Sequence, residues 1–388
     1  MKHARTAVIA LLMATATFCQ AQLTQNGYYR VLNERTNRYI TLIDNTAKVS
    51  TVATSIDLGA LQTIKNFDNV VSNPASVIYI RHENISTPNQ FSLAAQGTDS
   101  KNITGQYLTI LPSSTNSDAY WAGGNYSGMQ LYMNDVLSVY NISEVGTNAG
   151  PTDRSRNWYI LPIDKDSENQ YFGIKPDVAY NGKYYATIYA YFPFNLSEGM
   201  KAYGIILSNN NAAVYKEISG TIPMSTPVLI ECTSPTPDGN RIDIVEEDGT
   251  PVSGNKLIGQ WFCSHKDGHI NRKEYTENTM RVLGLTQEGK LGFVKAPKSY
   301  LSYDEESGKY YLPANKAYLP VTSSTPTDLT VMSEEEYIAG IDDHISTEKP
   351  IQSDIYTLTG TRIGQHNDNT KRLSKGFYIV NGKKVIVR

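Results

Sequence analysis

YYATIYAYFPFNLSEGMKAY, residues 184–203, is the most aromatic run of the chain, and its period points to the fold class. In an extended chain, side chains alternate between two faces. Tyr185, Thr187, Tyr189 and Tyr191 share one face, and Ala186, Ile188, Ala190 and Phe192 the other. Both faces carry large or apolar groups, which predicts a strand covered on both sides and the start of a domain core. Pro193 is expected to end that strand, because a proline nitrogen has no hydrogen to give to a sheet ladder.

Working downstream, short strand-like runs recur at Tyr203–Leu207, Ala212–Ile218, Val228–Cys232, Leu257–Phe262, Met280–Leu285, Lys290–Val294 and Ala317–Val321. Turn-forming residues at Asn209–Asn211, Pro235–Asn240, Asp248–Gly249 and Glu306–Gly308 punctuate them. This rhythm predicts an antiparallel β-sandwich over residues 164–335. Ser333 and Glu336 have the spacing of a capping box for a brief helix. Residues 336–352 read as a linker and 353–388 as a β tail, in which Asn381-Gly382 marks a tight hairpin turn.

Upstream, residues 27–43 read as a hairpin of strands Tyr28–Leu32 and Arg38–Ile43. Ser55 or Asp57 can cap a helix in which Leu58, Leu61, Ile64 and Phe67 recur at helical spacing. Strands follow at Val77–His82, Phe91–Ala95, Gln106–Leu111, Met129–Met133, Val136–Tyr140 and Trp158–Pro162. Arg38-Tyr39-Ile40-Thr41-Leu42 is echoed by Gln106-Tyr107-Leu108-Thr109-Ile110, a partial repeat that suggests threefold β architecture. Residues 22–163 are therefore expected to form a β-trefoil-like domain with a helical insertion, an irregular β-sandwich being the alternative. The Gln-x-Trp signature of ricin-type lectins is absent.

With 388 residues and 40% hydrophobic content, the chain can build two or three cores. A net charge of -3 lacks the basic footprint of a nucleic-acid-binding surface. Only 19% of residues are charged, and 27 tyrosines stand against 9 phenylalanines. Tyrosine buries a ring and keeps a polar tip, which suits broad, half-exposed sheet faces and surfaces that meet sugars.

Met1–Ala21 reads as a secretory signal peptide: Lys2, His3 and Arg5 precede an apolar core, Ala7–Thr17, too short to span a bilayer. Cleavage after Cys19-Gln20-Ala21 leaves a chain beginning at Gln22, and the bulky Phe18 favours this over lipidation at Cys19. No later apolar run reaches membrane-spanning length. Cys232 and Cys263 then remain, each at a strand end in a chain bound for an oxidising compartment. They form either a disulfide, for which the loop-entropy model gives about 3–4 kcal/mol, or two buried thiols.

No recognisable active site stands out. The acidic runs Glu246-Glu247-Asp248, Asp304-Glu305-Glu306 and Glu334-Glu335-Glu336 fall at turns or a helix start and read as solvated faces rather than glycosidase pairs. Ser264-His265 has no Gly-x-Ser-x-Gly elbow beside it. His265, Asp267 and His269 supply too few spaced ligands for a metal, and Asp164-x-Asp166-x-Glu168 lacks the glycine of a calcium loop. No metal site and no cofactor are expected. The best binding candidate is the Gly-rich stretch with Asp118, Tyr120, Trp121, Asn125 and Tyr126, where sugar rings can stack on aromatic faces while Asp or Asn meets hydroxyls.

Two regions resemble known families of exported proteins. Tyr356-x-Leu358-x-Gly360-x-Arg362, Lys375-Gly376-x-Tyr378-Ile379-Val380 and Lys384-Val385 resemble the C-terminal sorting domain of the Por (type IX) secretion system. Residues 182–321 resemble a domain of uncharacterised secreted β-rich proteins of Bacteroidetes-type bacteria. The matching residues are Tyr184-Tyr185-Ala186-Thr187 with Phe192-Pro193-Phe194, Gly220-x-Ile222-Pro223 with Thr226–Ile230, and Pro313–Leu319. Gly27-Tyr28-Tyr29-Arg30-Val31 is similar to the opening of secreted proteins linked to lectin-like trefoils. These resemblances imply export and an outer-surface or secreted location, and bring no activity with them. The reading is a mainly β, non-enzymatic binding or adhesion protein whose partners are glycans or surface proteins. A secreted hydrolase of glycans or peptides and a structural component of a surface assembly are the alternatives.

Overall fold

The structure, a computed structural model, describes residues 23, 26–42, 61–82, 90–94, 108–113, 116–123, 129–133, 137–141, 154–209, 211–262, 272–326, 328–342, 353–366, 373–380 and 383–387. Met1–Ala21, Ser55, Asp57, Leu58, Asn125, Tyr126, Cys263 to His269 and Asn381-Gly382 lie outside the described residues. The chain divides into two compact units: Met1–Thr41, Thr46–Asn66 and Ser76–Pro162 make the first, and Leu42–Asn45, Phe67–Ala75 and Ile163–Arg388 the second.

Among its described residues the first unit holds ten strands: β1 (Gly27–Asn33), β2 (Arg38–Leu42), β3 (Leu61–Lys65), β4 (Ile78–His82), β5 (Gln90–Ala94), β6 (Leu108–Pro112), β7 (Tyr120–Gly123), β8 (Met129–Met133), β9 (Leu137–Asn141) and β10 (Trp158–Pro162). β1 pairs with β4, β4 with β5, β5 with β6, β6 with β7, β7 with β10, and β10 returns to β1, all antiparallel. Six strands thus close into a barrel, which removes the sheet edge. β2–β3 and β8–β9 leave it as hairpins between successive barrel strands. This is a β-trefoil arrangement, with repeats β1–β4, β5–β6 and β7–β10. Residues 95–107, between β5 and β6, lie outside the described residues.

Two sequence expectations change in this unit. Leu61 and Ile64 lie on β3, a strand, instead of an inserted helix. Beside β2, Arg38 donates from Nε to Thr63 Oγ1 at 2.8 Å and from Nη2 to the Thr63 carbonyl at 2.7 Å, so the segment is tied to a neighbour and not to its own next turn. Among the described residues around it, helical structure is limited to short 3-10 turns at Phe67–Asn69, Pro74–Ser76 and Arg154–Arg156. The pentapeptide echo also does not mark equivalent places, since Arg38–Leu42 is β2 while Gln106–Ile110 runs into the barrel strand β6. The barrel core is filled by Trp158, Ile78, Ile80, Phe91 and Ile40. Arg30 is buried on the other face of β1, with its Nε donating to Ser76 Oγ at 3.2 Å.

The second unit is built on a curled ten-stranded sheet. Its order is Val178–Tyr180, Lys183–Ile188, Val228–Cys232, Lys201–Asn209, Ala212–Ile218, Leu329–Ser333, Leu291–Val294, Met280–Leu285, Lys316–Pro320 and Ile258–Gln260. Neighbours run antiparallel except Ala212–Ile218 with Leu329–Ser333, which are parallel. The sheet curls until its second and ninth strands meet, where Thr187 Oγ1 both accepts from the Ala317 amide at 3.2 Å and donates to its carbonyl at 3.3 Å. Ile205, Leu229, Phe293, Leu319 and Leu329 fill the space so enclosed.

The aromatic run of residues 184–203 enters this core through Tyr185 and returns to it at Tyr203, and its first strand is buried on both faces from Tyr185 to Ile188. The strand ends at Ile188, well before Pro193. Asn315, in the left-handed region at φ 58, competes for the backbone there: its carbonyl accepts from Tyr189 N at 2.9 Å, and its Nδ2 donates to Tyr189 O at 3.0 Å. Beyond Pro193 the chain enters a separate three-stranded sheet in the order Phe172–Gly173, Arg241–Ile244, Phe194–Leu196.

The capping box forms as its spacing predicts. Ser333 Oγ accepts from the Glu336 amide at 3.1 Å, and Glu336 Oε2 from the Ser333 amide at 2.8 Å, opening helix α1 (Glu334–Asp342). The tail is a four-stranded antiparallel sheet, Arg362–His366, Ser353–Thr357, Gly376–Val380, Lys383–Val387, with Ile355 and Tyr378 buried. Among the described residues no helix is long and apolar enough to cross a membrane.

One acidic turn carries a pH prediction. Ser307 Oγ and Arg272 Nη1 each donate to Asp304 Oδ2 at 2.6 Å and hold its carboxyl down at about 2. A carboxyl depressed on folding stabilises above its unfolded pKa of about 4 and loses that contribution as pH falls toward 2. Thermal melts between pH 5 and pH 2 are therefore expected to fall less steeply for Asp304→Asn than for wild type. Parallel curves would show that the turn contributes nothing to acid sensitivity.

Candidate functional site

The expected aromatic loop is not a loop at Trp121. Tyr120–Gly123 form β7, a barrel strand whose partner β6 pairs Leu111 with Trp121 and Pro112 with Tyr120. Barrel closure puts Trp121 beside the 3-10 turn that leads into β10. Its indole Nε1 donates to Asn157 Oδ1 at 2.9 Å, and the Arg156 guanidinium lies 4.5 Å from the ring centroid, a cation–π contact. Asn157 is buried and holds the surroundings together: Oδ1 also accepts from Ser113 Oγ at 2.8 Å, and Nδ2 donates to Glu34 Oε2 at 2.7 Å. Glu34 in turn pairs with Arg154 at 3.3 Å.

Trp121 itself is half-buried, so a locked ring borders solvent. Next to it Asp118 is exposed and Asn116 half-buried, with Asn116 Nδ2 donating to Tyr159 OH at 3.1 Å. Burial raises the phenols of Tyr120 and Tyr159, which therefore stay neutral donors through physiological pH. Asp118, Tyr120 and Trp121 are thus gathered at one rim of the barrel, with Asn116, Arg156 and Tyr159 added by the fold. The arrangement offers an aromatic edge, an amide and a carboxylate.

The remaining sequence candidates are spread along the chain. Asp164 Oδ1 accepts from the Asp166 amide at 2.9 Å and so serves its own turn, while Asp248 Oδ1 accepts from the Gly249 amide beside it and from the amide of Met224, 24 residues upstream. Among the described residues no group of three His, Cys, Asp or Glu is placed to hold a metal. Cys232 is a buried free thiol, pushed up to about 12 chiefly by that burial. Its expected partner, Cys263, is outside the described residues.

Sequence reasoning missed two places in the second unit. Glu231, the one buried carboxylate among the described residues, accepts from Tyr203 OH at 3.1 Å and Tyr185 OH at 3.3 Å and pairs with Lys183. Burial and this carboxylate raise both phenols, so the cluster is a closed hydrogen-bond network at the rim of the core. The second place is a cleft of about 400 Å³ lined by Ser72, Phe172, Ile174, Lys175, Asp177, Thr187, Ile188, Asn315 and Lys316 among others. Lys316 Nζ bridges both Asp177 oxygens, at 2.8 and 2.7 Å, along its wall. Its residues come from four distant stretches, 72–74, 172–177, 187–188 and 314–316, and no motif signals that they meet.

No family profile and no curated protein matches the chain. Among solved structures, the chain is similar to the BEL beta-trefoil in an apo crystal form, at 9% identity and a TM-score of 0.24, over 35% of this chain and 93% of that one. It is also similar to a mosquitocidal holotoxin at 13% identity and a TM-score of 0.22, over 78% of this chain and 45% of that one. The trefoil assignment itself rests on the closure of the six-stranded barrel.

Proposed function

We propose that this is an exported, non-enzymatic binding protein whose β-trefoil unit takes glycans at the rim around Trp121. Support comes from one observation above all: a half-exposed indole held in one orientation by Asn157 and Arg156, beside an exposed carboxylate and an amide. A preorganised ring loses little freedom when a sugar stacks on it, which favours binding. The leader Met1–Ala21 and the sorting-domain-like tail support export to the outer surface, and the reading as a surface-binding module follows from both.

Glycan-array retention of the full chain tests the site. Trp121→Ala is expected to lower retention by about tenfold or more, the scale of one aromatic contact, while Trp121→Phe keeps much of it. Asp118→Ala, at an exposed position, is expected to weaken binding with an unchanged Tm. Absence of any retained glycan for wild type, or equal retention by Trp121→Ala, overturns the proposal.

A further inference from the structure

We propose that the cleft of the second unit is a separate binding site for a small hydroxylated carboxylate, the size of one acidic sugar residue. At about 400 Å³ it falls at the lower end of small-molecule sites and holds one ring rather than a chain. Its charge is asymmetric. Lys175 and Lys316 bring two ammonium groups against the single carboxylate of Asp177, leaving one positive charge in excess. The bidentate Asp177 contact fixes the Lys316 ammonium at the wall, while Lys175 is exposed and has no ion-pair partner among the described residues. A ligand carboxylate is the complement of that pair.

A second, independent observation points to hydroxyl groups. Ser72 lines the cleft, and its Oγ is shielded from solvent with no hydrogen-bond partner among the described residues. Buried hydroxyls are nearly always paired, and a rotation about the Ser72 Cα–Cβ bond that turns this one into the cleft lets a ligand hydroxyl meet it. The Asp177 oxygens held by Lys316 keep lone pairs that can accept from further hydroxyls. Phe172, Ile174 and Ile188 also line the cleft and supply apolar surface suited to the C–H face of a sugar ring. The site is held in shape by Asn240, which bonds the Ile174 carbonyl, and by Asn315, which bonds Tyr189.

Isothermal titration of the full chain with glucuronate, glucose and acetate tests the assignment. Glucuronate is expected to bind with a Kd near or below about 1 mM, and glucose and acetate at least about tenfold more weakly. Lys175→Ala is expected to weaken glucuronate about tenfold at unchanged Tm, and Ser72→Ala to weaken it by a smaller factor. Trp121→Ala, on the other unit, is expected to leave glucuronate binding as in wild type, which separates this site from the trefoil rim. No glucuronate binding at about 10 mM overturns the proposal, as does glucose or acetate binding equally well, or Lys175→Ala binding as tightly as wild type.

Discussion

Asn240→Ala is expected to destabilise the second unit by about 3–5 kcal/mol, a large effect for a residue with no charge and no apolar bulk. Asn240 has no exposed surface, and its two N–H donors and one carbonyl oxygen lie within hydrogen-bond reach of six partner atoms, some bonds being shared. Its Nδ2 donates to the carbonyls of Ser234 at 2.7 Å, Thr236 at 3.0 Å and Ile174 at 3.1 Å. Its Oδ1 accepts from the amides of Ser234 at 2.9 Å and Thr233 at 3.0 Å, and from Thr233 Oγ1 at 3.4 Å. Removing the amide strands these backbone groups inside the protein, and each buried, unmet group costs about 1–3 kcal/mol, partly relieved by entering water. Asn240→Asp is no remedy, because it aims an acceptor at three carbonyls. Urea unfolding should show a lower midpoint at an unchanged slope. A loss below about 1 kcal/mol would mean that water replaces the side chain without cost. Because Asn240 also holds Ile174, the same variant is expected to loosen the cleft.

Trp158→Ala is expected to cost a further, independent 3–5 kcal/mol or so in the first unit, the range for deleting a fully buried tryptophan. The effect has two sources. The side chain has no exposed surface and is the largest buried group in the barrel, so alanine leaves a cavity that the surrounding strands can only partly fill. Its backbone also stands at the seam, opposite Asn33 of β1 and Tyr120 of β7, where the sixth strand closes the ring. Loss of the near-UV tryptophan signal with far-UV signal retained is the expected picture of a barrel that has lost its packing. Glycan retention should fall with it, since Asn157, which orients Trp121, is the preceding residue. Near-wild-type stability would show that the barrel closes without this side chain.

The contrast between Trp121 and Trp158 shows what local sequence does and does not carry. Trp158 lies in a run, Trp158–Pro162, whose strand character is read directly from its apolar content. Trp121 lies next to Gly123 and Gly124, and those glycines suggest a loop where the barrel makes a strand. The pairing of β7 with β6 supplies what the local residues lack, and that pairing is tertiary. Leu61 and Ile64 tell the same story: their spacing fits a helix, but their segment pairs with β2, and Arg38 of that strand bonds Thr63 between them. The capping box at Ser333 was legible because all its partners lie within three residues.

Alternation of side chains and turn chemistry are local, and by themselves they determined that this chain is mainly β, where most strands lie, and that the aromatic run of residues 184–203 belongs to a core. The tertiary structure alone decided that six upstream strands close into a barrel, that the aromatic strand stops at Ile188, and that Trp121 is held by Asn157. It also decided that Ser72, Asp177 and Lys316 share one cleft. The reason is distance along the chain: Thr187 and Ala317, whose bonds close the second sheet, are 130 residues apart. Contacts of that separation depend on the packing of every strand between them, and no short stretch of sequence encodes them.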